Sequence, residues 1–337
     1  MKNILTLFNG IGGLPLACDR AGITFTDCYY SEIDKYANKV MEKHYPKAIA
    51  LGDVTKWKEW NIDWSSIDLV SAGFPCQAWS VAGKQLGDKD ERGMLFWTTL
   101  DIIKTVLQHN PKAKFLMENV KMKKEFEEYI THHTEQALGY VEKILINSSL
   151  VSAQNRTRYY WTNFKVTQPD DKGILLNDIL EETVDEKFGL SNEAIAYMSR
   201  LRNGKPRWEY HKSDINGKAA CLTANMYKGV PYGVLQLPNE SATKTGKAYS
   251  LTASYGGAVA WNSIERKQRT MIPVCESDKE SPNVYNHVLY RKLTPVECER
   301  LQTVPDNWTV CLSNTQRYKS LGNGWTIDVI AHILKCI

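Results

Sequence analysis

Short apolar runs alternate with longer amphipathic ones through the first half of the chain, and this alternation constrains the fold more than any other feature. Residues 4–8, 28–33, 67–72 and 114–117 read as strands: each is short, apolar and bounded by turn residues. Residues 14–21, 34–44, 96–108 and 123–138 lie between or after them and carry apolar residues at helical spacing. Residues 141–145 and 158–162 complete a strand-rich end. Strands alternating with helices predict an α/β fold, a parallel sheet covered on both faces.

Beyond about residue 185 the texture changes. Glycine, asparagine, lysine and tyrosine increase, and helical periodicity fades. A weak internal echo links Lys218-Ala219-Ala220-Cys221-Leu222-Thr223-Ala224 to Lys247-Ala248-Tyr249-Ser250-Leu251-Thr252-Ala253. Each is followed by tyrosine and glycine: Tyr227 and Gly229, then Tyr255, Gly256 and Gly257. One echo is too little for a solenoid and fits two strand-plus-loop units in a smaller domain. Helices return at residues 295–301 and, after a Gly322-Asn323-Gly324 break, at residues 326–334. The expected division is therefore residues 1–185 plus 314–337 as one domain, with an irregular, β-rich domain and hinge at residues 186–313 inserted into it.

A chain of 337 residues, 43% hydrophobic and 24% charged, has ordinary globular composition. No apolar run approaches the roughly 20 residues that cross a bilayer. The opening MKNILTLFNG has no cleavage pattern and reads as a first buried strand. The expectation is a cytoplasmic protein without a membrane partner. A net charge of +4 permits nucleic acid as a partner without announcing it. Basic stretches with interleaved aromatics occur at residues 156–161 and 200–210. The eight cysteines are scattered with no C-x-x-C pair, which argues against a zinc site or a disulfide framework.

Several strand ends carry residues fit for chemistry. Phe8-Asn9-Gly10-Ile11-Gly12-Gly13 follows the first strand, and its glycines let a ligand approach the backbone. The spacing is not G-x-G-x-x-G, which counts against a dinucleotide. Glu32 ends the second strand, where a ribose hydroxyl needs an acceptor, and Asp53 can accept from an adenine amino group. A tight turn with surface acids would look the same. Cys76 stands past the third long strand in Gly73-Phe74-Pro75-Cys76-Gln77, after a proline that fixes the backbone. That placement suits a nucleophile, although a lone cysteine after proline is more often structural. Residues 82–93 are polar and glycine-rich, as in a loop that closes over a substrate or a plain solvated connection. Glu118 ends the next strand, and Gln154-Asn155-Arg156-Thr157-Arg158 puts two arginines on one side of an extended segment.

In order, Phe-x-Gly-x-Gly, Pro-Cys-Gln, Glu-Asn-Val, Gln-x-Arg-x-Arg, Arg-Lys-Leu-Thr-Pro-x-Glu at residues 291–297 and Gly322-Asn323 resemble the DNA (cytosine-5)-methyltransferase family, of prokaryotic or phage type. The resemblance implies a Rossmann-like sheet that binds S-adenosylmethionine and releases S-adenosylhomocysteine, without a metal. It implies Cys76 as the nucleophile that adds to carbon 6 of cytosine, and Glu118 as the group that holds or protonates ring nitrogen 3. Asn119 would orient Glu118, Arg158 would contact the base oxygen, and Arg156 would support Glu118 or the backbone. The cofactor residues carried over are Phe8, Gly10, Gly12, Glu32, Ile33, Asp53, Val54, Pro75, Leu95, Asn323 and Trp325. The target base must leave the duplex to be reached. Gln77, Ser80 and Lys84 would lie near the DNA backbone or the vacated site, and Thr223, Thr252, Tyr255 and Gly256 would sit in base-reading loops of a target-recognition domain at residues 186–313.

The chain departs from the family pattern at Asn9, at Trp79 and at Gly324-Trp325, and no departure removes a catalytic group. A tRNA cytosine methyltransferase of the same fold is one alternative, but the Cys-Phe-Thr tripeptide of those enzymes is missing. A catalytically inactive DNA-binding homologue is the other, and Cys76, Glu118 and both arginines argue against it. The expected partner is double-stranded DNA, bound by a monomer, with any cognate restriction endonuclease acting separately.

Overall fold

The strand β1 (Asn3–Leu7) is buried at every position because it runs through the middle of a seven-stranded sheet. The computed structural model describes residues 1–75, 94–188, 197, 200–202, 205–206, 213–214, 217–228, 234–236 and 290–337. These divide into two compact units. One comprises Met1–Val151, Thr157–Asp171 and Gly324–Ile337; the other comprises Ser152–Arg156 and Lys172–Asn323.

The first unit is the α/β unit. After β1 come α1 (Gly13–Ala21), β2 (Asp27–Ser31), α2 (Lys35–His44), the two-residue β3 (Ile49–Ala50), β4 (Ile67–Ala72), α3 (Met94–His109), β5 (Lys114–Val120), α4 (Lys124–Leu138), β6 (Glu142–Asn147) and β7 (Thr157–Thr162). The sheet order is β3-β2-β1-β4-β5-β7-β6. The chain moves one way along the sheet from β1 to β3 and the other way from β4. Right-handed crossovers run in opposite directions therefore put α1 and α3 on opposite faces. The core between β1, β4, β5 and α3 includes Leu5, Val70, Phe96, Phe115 and Trp161.

The helix boundaries follow local chemistry. Asp34 caps α2 by accepting from Tyr36 N at 2.9 Å. Gly22 ends α1 in the left-handed region. One sequence expectation needs correction: the sheet is mixed, because β7 pairs antiparallel with both β5 and β6. Only nine residues, 148–156, connect β6 to β7, too few for the crossover that a parallel pair requires.

The second unit contains small strands: β8 (Leu201–Arg202) with β9 (Lys205–Pro206), and β10 (Ser213–Asp214), β11 (Val234–Gln236) and β12 (Tyr290–Lys292) in one sheet. It also contains α5 (Pro295–Leu301) and α6 (Asn314–Asn323), while α7 (Ile327–Leu334) belongs to the first unit and packs on α1. The Thr294-Pro295-x-Glu297 motif is a capping box with proline at the first helical position. Thr294 Oγ1 accepts from Glu297 N at 3.1 Å, and Glu297 Oε2 accepts from Thr294 N at 2.8 Å. Glu299 is fully buried and accepts from Thr309 N at 2.8 Å and from Arg317 Nη2 at 3.0 Å.

The sequence reading missed α6. Its run, Asn-Thr-Gln-Arg-Tyr-Lys-Ser-Leu-Gly-Asn, is polar and ends in a glycine that reads as a breaker. Gly322 is instead a contact point with the 3-10 turn at Ala224–Lys228. A Cβ there would lie 2.1 Å from the Thr223 carbonyl carbon and 2.3 Å from Ala224 N. Because the obstacle is backbone, Gly322→Ala should destabilise the protein by about 3 kcal/mol or more. The check is the urea midpoint, and an unchanged midpoint would rule out this close approach.

Candidate active site

Strands β1 to β5 all run parallel, so the residues that follow them gather at one edge of the sheet. The order reverses between β1 and β4, and the crevice outside the carboxyl ends of such strands is where ligands of open α/β sheets bind.

The turn after β1 is held open by its backbone. Phe8 has φ 56, an unusual conformation for a side chain of its size, and Gly10 has φ 58 with no atom within 4 Å of where a Cβ would stand. Asn9 N donates to Ser31 O at 3.1 Å, and Gly10 N donates to Glu32 Oε2 at 2.8 Å. The other carboxylate oxygen of Glu32 accepts from Ile33 N and Asp34 N, each at 2.8 Å. Glu32 thus organises two turns and uses three of its roughly four acceptor positions. Ile33 beside it is 78% exposed. Ser31 Oγ donates to Gly52 O at 2.6 Å, which ties the next loop to the same edge. There Asp53 Oδ1 accepts from Thr55 N at 2.9 Å and from Thr55 Oγ1 at 2.8 Å, and these bonds hold its carboxyl below the usual range. Val54 is buried behind it. An open glycine turn, an exposed apolar side chain and two ordered carboxylates fit a ligand that carries a nucleoside.

Next to this crevice Glu118 is fixed from two sides. Arg158 Nε lies 3.0 Å from Glu118 Oε1, and the indole Nε1–H of Trp325 donates to Glu118 Oε2 at 3.1 Å. The side chains of Glu118 and Arg158 are only 11% and 14% exposed, which makes this a strong, poorly screened pair. Val120 on β5 pairs with Arg158 on β7. Successive side chains of a strand leave opposite faces. Asn119 accordingly turns the other way, and its Nδ2 donates to Phe74 O at 3.2 Å. Phe74 is itself buried against Phe96 at 5.4 Å between ring centres. The Glu-Asn pair therefore does two jobs: it presents a carboxylate and fastens the segment Gly73-Phe74-Pro75 that leads to Cys76.

The structure brings together Phe8, Gly10, Gly12, Glu32, Ile33, Asp53, Val54 and Pro75 at the strand ends, with Glu118, Asn119, Arg158 and Trp325 beside them. Leu95 lies in the first turn of α3, packed against the core. Asn323 ends α6 in the second unit. Arg156 also belongs to the second unit, and its guanidinium donates to Leu222 O at 2.9 Å and to Gly322 O at 3.4 Å. Those bonds are backbone support. Thr223 has a buried hydroxyl and a backbone packed on Gly322. Cys76, Gln77, Ser80, Lys84, Thr252, Tyr255 and Gly256 lie outside the described residues.

Two contacts of the candidate site have no signal in the sequence. The Asn119 bond to Phe74 joins residues 45 positions apart, and the Trp325 bond to Glu118 spans 207. The sequence marks Trp325 as a cofactor residue and as a departure from the family pattern, and neither signal points to Glu118.

The family model described as C-5 cytosine-specific DNA methylase matches residues 2–337. The type II methyltransferase M.NlaX of Neisseria lactamica is 30% identical over 99% of this chain and 95% of its own length. The type II methyltransferase M.HpaII of Haemophilus parainfluenzae is 31% identical over 97% of this chain and 86% of its own. The solved structure of the methyltransferase EhMeth of Entamoeba histolytica superposes with a TM-score of 0.67 at 18% identity, covering 100% of this chain and 97% of that one. At that identity the likeness is one of fold.

Proposed function

The chain belongs to the C-5 cytosine-specific DNA methylase family, and from that premise we propose that it transfers a methyl group from S-adenosylmethionine to carbon 5 of a cytosine flipped out of duplex DNA. The observation that carries this reading is the carboxylate of Glu118, held between Arg158 and Trp325 at the strand-end crevice. It stands beside the segment that Asn119 fastens ahead of Cys76.

Carbon 5 of cytosine is a poor nucleophile. The thiolate of Cys76 adds to carbon 6, and Glu118 delivers a proton to ring nitrogen 3, so the ring becomes an enamine with electron density at carbon 5. When bound, S-adenosylmethionine supplies an electrophilic methyl group on a sulfonium. Glu32, Ile33, Asp53 and the Phe8–Gly12 turn would hold its adenosine part. After methylation a base removes the carbon 5 proton; the electrons of that bond restore the ring double bond as the carbon–sulfur bond breaks, Cys76 leaves as the thiolate, and ring nitrogen 3 returns its proton to Glu118. Arg158 keeps Glu118 oriented through this cycle and can also reach toward the base oxygen.

The target atom is out of reach inside a duplex. We assign the closing contacts to Gln77, Ser80 and Lys84 and base reading to Thr252, Tyr255 and Gly256, within a recognition segment at residues 186–313. We assign Thr223 to the same base-reading set; the residue is half-buried, with its hydroxyl turned inward. The enzyme acts as a monomer in the cytoplasm, apart from any cognate endonuclease.

The test is incubation with tritiated S-adenosylmethionine and duplex DNA or tRNA. Label is expected in DNA, and bisulfite sequencing then reads the methylated site. Label in tRNA with none in DNA would overturn the assignment.

A further inference from the structure

Trp325 occupies a gap built for an indole. It is half-buried, and two glycines, one at the start of α1 and one just past β4, make room for it. A Cβ on Gly13, at the start of α1, would stand 3.2 Å from Trp325 Cε3. A Cβ on Gly73, just past β4, would stand 3.0 Å from Trp325 Nε1 and 3.4 Å from Glu118 Oε2. The ring is thereby seated between the start of α1 and the segment that leads to Cys76, and its one polar atom meets Glu118 at 3.1 Å. Arg158 takes Oε1 and Trp325 takes Oε2, so neither carboxylate oxygen can turn without giving up a charge-assisted hydrogen bond.

We propose that Trp325 is a positioning residue for the reaction, its indole N–H holding the Glu118 carboxylate in the orientation that addresses the cytosine ring, and is more than a wall of the cofactor site. The proposal rests on the role given to Glu118 above. An apolar ring would fill the same gap. The N–H adds direction: it and Arg158 together leave the carboxylate one rotamer, and an acid that acts on one ring nitrogen needs one rotamer.

The test compares the full-length wild type, Trp325→Phe, Glu118→Ala and the double variant in single-turnover and steady-state methylation of duplex DNA. Phenylalanine keeps an aromatic ring and removes the donor. For Trp325→Phe, kcat is expected to fall about 10- to 100-fold, the range for a lost hydrogen bond to a charged group. The KM for S-adenosylmethionine should stay within about twofold. On the Glu118→Ala background the same substitution should change the rate by less than about threefold. A weaker KM at wild-type kcat would make Trp325 a cofactor wall only. Equal losses on both backgrounds would detach it from Glu118.

A second readout does not need turnover. The indole N–H resonance of Trp325, identified by its absence from Trp325→Phe, is expected to shift in Glu118→Ala; an unmoved resonance would overturn the proposal. Wild-type protein that methylates no cytosine would sink the proposed function and leave this contact to the resonance. Gly73→Ala serves where Trp325→Phe folds poorly. Its Cβ, 3.0 Å from Trp325 Nε1, must displace the indole by a few tenths of an ångström against Glu118 and should move the resonance and lower kcat in the same direction; wild-type values of both would count against the proposal.

Discussion

Cys76→Ala should lower methyl incorporation into duplex DNA by on the order of 10⁴-fold or more, because the reaction has no other way to raise the electron density at carbon 5. The buried cysteines offer no substitute. Burial pushes the thiols of Cys18 and Cys28 up to about 12, so the thiolate is scarce there at neutral pH. Cys298 is fully buried. The loss should be specific to chemistry: calorimetric affinity for S-adenosylmethionine should stay within about twofold of wild type, since the thiol makes no proposed contact with it. A fluorinated substrate traps the adduct. Duplex DNA with 5-fluorocytosine at the target has no proton to lose at carbon 5, so the wild-type enzyme should accumulate a covalent complex stable to denaturing electrophoresis. Cys76→Ala should give none. A covalent complex with the variant would place the nucleophile elsewhere.

Glu118→Gln should have the next largest effect, a fall in kcat of about 10²- to 10⁴-fold, the range for loss of a positioned general acid. Glutamine keeps the length and shape of the side chain and can still accept from the Trp325 indole. What it cannot do is release a proton to ring nitrogen 3. It also leaves Arg158, largely buried, against a neutral amide. A modest loss of thermal stability should accompany the kinetic effect, because an ion pair this sheltered is costly to break from one side. Cofactor affinity should change little, since Glu32 and Asp53, not Glu118, are the acids assigned to the nucleoside. Equal weakening of cofactor binding and turnover would remove the role given to Glu118 and point to a general disturbance of the crevice.

The outline of the α/β unit was legible because its signals are local. Strands β1, β2, β4 and β5 are short apolar runs with turn residues at their ends, and α1 to α4 carry regular apolar stripes. The direction of β7 was not read, since periodicity carries no orientation and only the short link from β6 forbids a parallel pair. Helix α6 was hidden by polar residues and by Gly322, whose reason is a contact with Thr223 rather than a turn. The candidate site shows the same split. Glu118, Arg158 and the glycine turn stood out by residue type and position. The bonds of Asn119 and Trp325 are tertiary, and no local pattern announces a partner so far along the chain. The Thr294-Pro295-x-Glu297 motif shows the converse: it is recognisable in the sequence, and what it does is cap a helix.

The reversed strand β7 has a chemical consequence. An antiparallel strand begins where its parallel neighbours end, so Arg158, second residue of β7, falls beside the last residues of β5. Were β7 parallel, its start would lie at the far edge of the sheet, about 17 Å away at the usual rise per residue. Strand direction here acts as an address for charge. A redesign that turned β7 around could retain seven strands and a filled core, and it would strand the guanidinium on the wrong side of the sheet from the carboxylate it serves.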